Sequence, residues 1–283
     1  MQLEGRRRST NVDDRRGKGT TGASLGIGGI IIAGLIVWIT GGNPLEFVTE
    51  QVMDNMSTGQ STTLTVEEEK MGIFAETILA GTEDVWTEIF KQNGMKYTTP
   101  EMVLYSRSTT SRCGSASSAT GPFYCPADQK IYIDLSFFEQ MKTQLKAGGD
   151  FAYAYVIAHE VGHHVQYLLG VLDKVQQQQA RLSQKESNQL NVRLELQADF
   201  YAGIWAYHDN KNFHSIEDGD IENGLNAASQ IGDDRLQMQS QGYTVPDAFN
   251  HGTSEQRVRW LKKGLQTGKI SNGNTFDIPY TQL

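Results

Sequence analysis

The sequence predicts a mainly helical α+β domain with a small sheet, preceded by one transmembrane helix. Three observations predict it. A long uncharged, largely apolar run lies near the N-terminus; several stretches after position 135 repeat apolar residues at helical intervals; and two short stretches, 101–107 and 130–138, have strand character. A chain of 283 residues is long enough for one sizeable domain with an appendage, or for two small domains.

Residues 1–20 read as a basic tail. The chain carries 25 Lys and Arg against 33 Asp and Glu, yet Arg6, Arg7, Arg8, Arg15, Arg16 and Lys18 crowd its first eighteen positions. The remainder of the chain is therefore more acidic than the whole, and it presents no basic face of the kind nucleic acid requires. After Lys18 no charged residue occurs until Glu46, and this interval contains "ASLGIGGIIIAGLIVWI". About 20 apolar residues at 1.5 Å each cross a hydrocarbon core of roughly 30 Å. Residues 21–42 are thus expected to form a transmembrane helix, with Trp38 as an interfacial anchor. Positive charge on its N-terminal side predicts a single-pass inner-membrane protein, the N-terminus cytoplasmic and the remainder periplasmic. A buried soluble helix and a cleaved signal peptide are the rivals, but the run is long for a signal peptide and no A-x-A-like site follows it. Gly22 and Gly26 make a GxxxG, weak evidence among so many glycines.

Residues 43–66 are polar and rich in Ser and Thr, which reads as a linker. The domain is expected over 67–283. Ile73, Phe74, Ile78, Val85, Trp86, Ile89 and Phe90 predict a helix over 67–93 that Gly81 interrupts. "EMVLYSR" and "KIYIDLSFF" read as strands, the second alternating Ile131, Ile133 and Leu135 against Tyr132 and Asp134. Between them lie Cys113 and Cys125, whose spacing fits no zinc knuckle. In an oxidising compartment a local disulfide is expected, worth roughly 3 kcal/mol in the chain-entropy model. Helical patterns then cover 136–147, 150–169, 187–208, 217–239 and 254–264, while 174–184 reads as a polar helix or an excursion. No internal repeat is present.

The helix at 150–169 contains "VIAHEVGHHVQ". Residues four apart share a helix face, so His159 and His163 can offer two imidazole nitrogens to one ion at about 2.0–2.1 Å. Glu160, one step round, can reach a metal-bound water as a general base. A catalytic zinc requires three protein ligands and an open position. The metzincin pattern would need Gly at 166 and His at 169, where the chain has Gln166 and Leu169. Downstream, "ELQADFYAG" places Glu195 and Asp199 four apart beside Ala198, Ala202 and Gly203, small residues that allow close helix approach. Glu195 is the candidate third ligand. Asp199 is the candidate carboxylate that accepts the outer N–H of a ligating histidine.

Four segments, "HEVGHHVQ", "ELQADFYAG", "GPFYCPADQKIYIDLSFF" and "HGTSEQRVRW", together resemble the neutral zinc metallopeptidases, a bacterial family with an N-terminal membrane segment. The resemblance spans essentially the whole chain. It implies a zincin-like fold of the gluzincin kind, with an active-site helix, a second helix giving a Glu ligand, and a small sheet whose edge strand can hold an extended peptide. It implies one Zn(2+) per chain and a peptide or protein substrate. In gluzincins a late His or Tyr commonly stabilises the oxyanion, and His251 is best placed for that, with Arg257 as a supporting charge. The competing reading makes this segment a helix cap, with Thr253 or Ser254 at the N-cap. His164 reads as packing or as a support behind the ligand pair, and His208 and His214 have no predicted partner. A membrane-anchored scaffold holding zinc only for structure is the rival function, opposed by the lack of an evident fourth ligand.

Overall fold

A computed structural model of the chain describes residues 1–17 and 63–283. The expected transmembrane helix at 21–42 and most of the expected linker lie outside the described residues. Among the described residues, no helix is long and apolar enough to cross a membrane. They form eight α-helices, a four-stranded sheet and a two-stranded hairpin.

In chain order the elements are β1 (Val12–Asp14), α1 (Val66–Gln92), β2 (Glu101–Tyr105), β3 (Ser108–Ser111), β4 (Gly114–Ser117), β5 (Phe123–Cys125), β6 (Lys130–Asp134), α2 (Ser136–Thr143), α3 (Asp150–Leu168), α4 (Val171–Gln179), α5 (Gln184–Phe213), α6 (Asp220–Gln230), α7 (Asp233–Gln241) and α8 (Ser254–Thr267). The sheet runs β1-β2-β6-β5. Its first three strands are parallel, with Met102 opposite Val12 and Ile131 opposite Met102. β5 closes the far edge antiparallel to β6. Met102, Leu104, Ile131 and Ile133 face the main core, while Val103, Tyr105, Tyr132 and Cys125 form a second cluster on the other face. Cys113 and Cys125 are disulfide-bonded, as expected, and this ties the β3–β4 turn to the edge strand.

α3 is the central element. Its residues from Phe151 to Ile157, together with Val161 and Val165, are buried, in a core shared with Trp86 and Phe90 of α1, Leu196, Phe200 and Trp205 of α5, and Trp260 of α8. α1, α5 and α8 each begin with a capping box, formed by Thr65 with Glu68, Ser183 with Glu186, and Thr253 with Gln256. Each pairs the N-cap side chain with an N3 backbone N–H and the N3 side chain with the N-cap N–H, satisfying donors the helix leaves free. The expected helix at 217–239 is two helices. It breaks at Gly232, whose position would bring a Cβ onto the backbone of Ser254.

The N-terminal residues differ most from expectation. Rather than a separate basic tail, residues 1–17 lie along the domain and supply β1. Arg6 donates to both oxygens of the fully buried Asp209, at 2.9 and 2.5 Å. Buried Glu83 accepts from Ser9 Oγ at 2.6 Å and Asn11 Nδ2 at 2.7 Å, with Arg7 2.9 Å away. A buried carboxylate is tolerated only when paired and hydrogen-bonded, and for these two the N-terminal segment supplies the partners. Gly81 does not interrupt α1. A Cβ there would meet Arg6 Nη2 at 2.7 Å and Asp209 Oδ1 at 2.8 Å, so the glycine leaves space for their ion pair.

Candidate metal centre

The site forms where α3 crosses α5. A Cβ on Gly162 would lie 3.0 Å from the Ala198 carbonyl oxygen and 3.3 Å from its Cβ, so two small residues set how closely the helices approach. Of the other small residues expected at this crossing, Gly203 packs instead against Gly264 and Leu261 of α8. α5 is thus clasped on both sides, and residues of α3, α5 and α8 converge.

His159, His163 and Glu195 are brought together, each offering one donor atom, with all three atoms within 4.8 Å of one another. Glu195 Oε2 lies 3.1 Å from His159 Nε2, and Glu195 Oε1 lies 3.4 Å from His163 Nε2. Two ligands at about 2.0–2.1 Å from a tetrahedral zinc are about 3.3 Å apart, close to both of these contacts, and the donor set suits that ion by its chemistry. It offers two imidazoles and one carboxylate, and no fourth protein donor joins the group among the described residues.

Each imidazole is also held from behind. His159 Nδ1 lies 2.8 Å from Asp199 Oδ1, the partner expected from the sequence. Asp199 is fully buried; Arg257 donates to it from Nε and Nη2, both at 2.9 Å, and Tyr155 donates its hydroxyl at 2.5 Å. Burial acts to raise the Asp199 pKa, but Arg257 and His159 outweigh it and hold the carboxyl below its ordinary value. Burial likewise opposes the charge on His159, yet Asp199 and Glu195 push its pKa up to about 10. His163 Nδ1 lies 2.9 Å from Gln166 Oε1, and Gln166 is itself fixed by donating to the Leu194 carbonyl at 2.7 Å. These outer bonds fix ring orientation and tautomer, as around most ligating histidines.

Glu160 differs from its neighbours. The residue is 7% exposed, and its side chain has no hydrogen-bond donor among the described residues. Burial raises its pKa, partly offset by His163 and His159. His251 is half-exposed on the loop before α8, with Nδ1 3.1 Å from Asp233 Oδ1. The other Asp233 oxygen accepts three backbone N–H groups, from Asn250, His251 and Gly252, at 2.7, 2.6 and 3.0 Å. Burial acts to raise the Glu195 pKa, but His163 and His159 outweigh it, with a smaller lowering from His251. Thr253 caps α8.

Tyr155, Gln166 and Asp233 were not singled out from the sequence. Tyr155 and Gln166 stand one helical turn from His159 and His163, a spacing that could have marked them. Asp233 reaches His251 across 18 positions and leaves no local signal. His164 packs between Tyr124 and the Thr98 carbonyl, as expected of a structural residue. His208 binds the Gly268 carbonyl at 2.8 Å, and His214 ends α5 in a left-handed conformation.

A family model described as "Putative neutral zinc metallopeptidase" matches residues 1–276. The uncharacterized protein YpfJ of Escherichia coli K12 is 47% identical over 285 residues, covering 98% of this chain and 99% of that protein. The uncharacterized protein Rv2575 of Mycobacterium tuberculosis H37Rv is 44% identical over 190 residues, covering 64% of this chain and 63% of that protein. No solved structure matches the chain.

Proposed function

The chain belongs to the neutral zinc metallopeptidase family, and on that premise we propose that it hydrolyses peptide bonds with Glu160 as general base. The observation that carries this reading is that Glu160, a residue only 7% exposed whose side chain accepts no hydrogen bond among the described residues, accompanies three converging donor atoms. A catalytic base must be free to bond the reacting water, whereas a structural carboxylate is bonded within the fold.

His159, His163 and Glu195 would hold the zinc, which when bound supplies Lewis acidity and lowers the pKa of a coordinated water toward about 7. Glu160 takes a proton from the attacking water and delivers it to the leaving amine. Its raised pKa favours that second transfer. His251, oriented by Asp233, donates from its other ring nitrogen to the carbonyl oxygen as charge builds there. Asp199, Arg257 and Tyr155 keep His159 in one orientation. For the substrate backbone, β5 replaces the expected "KIYIDL" strand. β6 has neighbours on both sides, whereas β5 is an edge strand of the sheet. The two-helix donor set beside a small sheet supports the zincin-like reading. Attachment to the inner membrane through the apolar run at 21–42 belongs to the same proposal.

Glu160→Gln tests it. The variant is expected to keep its zinc and lose cleavage of an unfolded protein by at least about a hundredfold. Undiminished cleavage would remove Glu160 from the role. Zinc bound without cleavage in either form would favour a structural-zinc scaffold.

A further inference from the structure

Residues 1–17 are fitted into the domain rather than laid upon it. β1 pairs with β2 over three residues, and Arg15 N–H extends the ladder to Leu104 O at 2.8 Å. Two glycines of α1 are matched to two arginines of this segment: a Cβ on Gly81 would strike Arg6, and one on Gly72 would strike Arg16. Glu83 and Asp209, both buried, take their bonding partners from Ser9, Asn11, Arg7 and Arg6. Arg16 also donates to the Glu68 carbonyl, so the two ends bordering the interval 18–62 lie side by side on α1.

The charges that would orient a membrane helix are engaged in the same way. Arg6 pairs with Asp209, Arg7 with Glu83 and Asp84, Arg15 with Asp13, and Arg16 with Asp14. Four of the basic residues near the N-terminus are therefore held by carboxylates within the fold.

We propose that residues 1–17 are a structural part of the peptidase domain and occupy the same compartment as it. A single crossing of the membrane by 18–62 would separate β1 from β2 and Arg6 from Asp209. The number of crossings between the two ends is therefore even. The second half of the interval carries Glu46, Glu50 and Asp54, which leaves one apolar run and no second one to return through. The Cys113–Cys125 disulfide places both parts on the oxidising side. This proposal is independent of the peptidase activity.

Single cysteines at two exposed positions of the full-length chain, Glu4→Cys and Lys262→Cys, would be treated with a membrane-impermeant maleimide in intact and in lysed cells. The native cysteines are disulfide-bonded and do not compete. Both positions are expected to label equally in intact cells. Labelling of one in intact cells and of the other only after lysis would overturn the proposal. Both labelling only after lysis would keep the shared compartment and overturn its assignment to the oxidising side. A stability measurement adds a second arm: Arg6→Asp is expected to lower the Tm of the full-length protein by roughly 6 °C or more, since it breaks a buried pair. An unchanged Tm would show that the segment is not docked.

Discussion

Asp199 is completely buried, and it stays ionised because Arg257 bonds both of its oxygens while His159 and Tyr155 share one of them. Asp199→Asn would leave Arg257 as a buried cation without its counter-charge, and removing one partner of such a pair costs about 3–5 kcal/mol. It would also loosen His159, so zinc affinity is expected to fall about 10- to 100-fold. Thermal unfolding and titration against a chelator check both effects, and a variant with unaltered affinity would detach Asp199 from the metal centre. His164 sits on the same helix but turns toward Tyr124 and Thr98. Burial lowers its pKa from 6.5 to about 4, the Thr98 carbonyl opposing only in part. A histidine whose folded pKa is depressed stays neutral in the native state while the unfolded chain takes up the proton. Its contribution is therefore complete above pH 6.5 and lost as pH falls toward about 4. The full loss is about 3 kcal/mol. Tm measured between pH 7 and 5 should fall less in His164→Gln than in the wild type, and equal slopes would contradict this assignment. At this scale the sequence was informative about α3, because spacing on one helix fixes which side chains share a face. Asp233 was hidden because its partner is supplied by a loop that only the tertiary fold brings near.

Helices were more legible than strands, for a physical reason. The apolar stripes of α1, α3, α5 and α8 repeat over many residues, so they stand out even where a glycine falls within them. The glycines themselves were misread. Gly81 suggests a break by propensity alone, but in α1 it is the space an arginine needs; Gly203 suggests a contact with α3 but serves α8. β3 and β4 are built from Ser, Thr, Gly and Ala, have no apolar alternation, and pair Thr109 with Ala116, so nothing local announced them. The helix contact with the least tolerance is that of α5 with α8, where a Cβ on Gly264 would enter the backbone of Phe200 and Gly203. Gly264→Ala should therefore force the helices apart, at about 1–3 kcal/mol. Because Arg257 is carried by α8, the same variant should also weaken zinc binding. Chemical denaturation together with metal titration would show it, and unchanged stability would mean that the crossing has room for a methyl group.

For the whole molecule, composition and periodicity identified a mainly helical domain with a small sheet, and motif spacing identified the cluster at its centre. What they could not convey was that the first residues belong to that domain. Arg6 meets Asp209 across 203 positions, and a cluster of arginines looks the same in sequence whether it flanks a membrane or fills notches in a helix. Likewise, Glu195 lies 36 positions from His159, and only the close crossing at Gly162 and Ala198 unites them. That union is the central claim, and zinc content tests it most directly. The purified full-length protein should hold about one zinc per chain, and Glu195→Ala should lose it under the same dialysis, because two imidazoles alone leave the ion one protein ligand short. Equal zinc in both proteins would contradict the claim that α3 and α5 share a single metal centre.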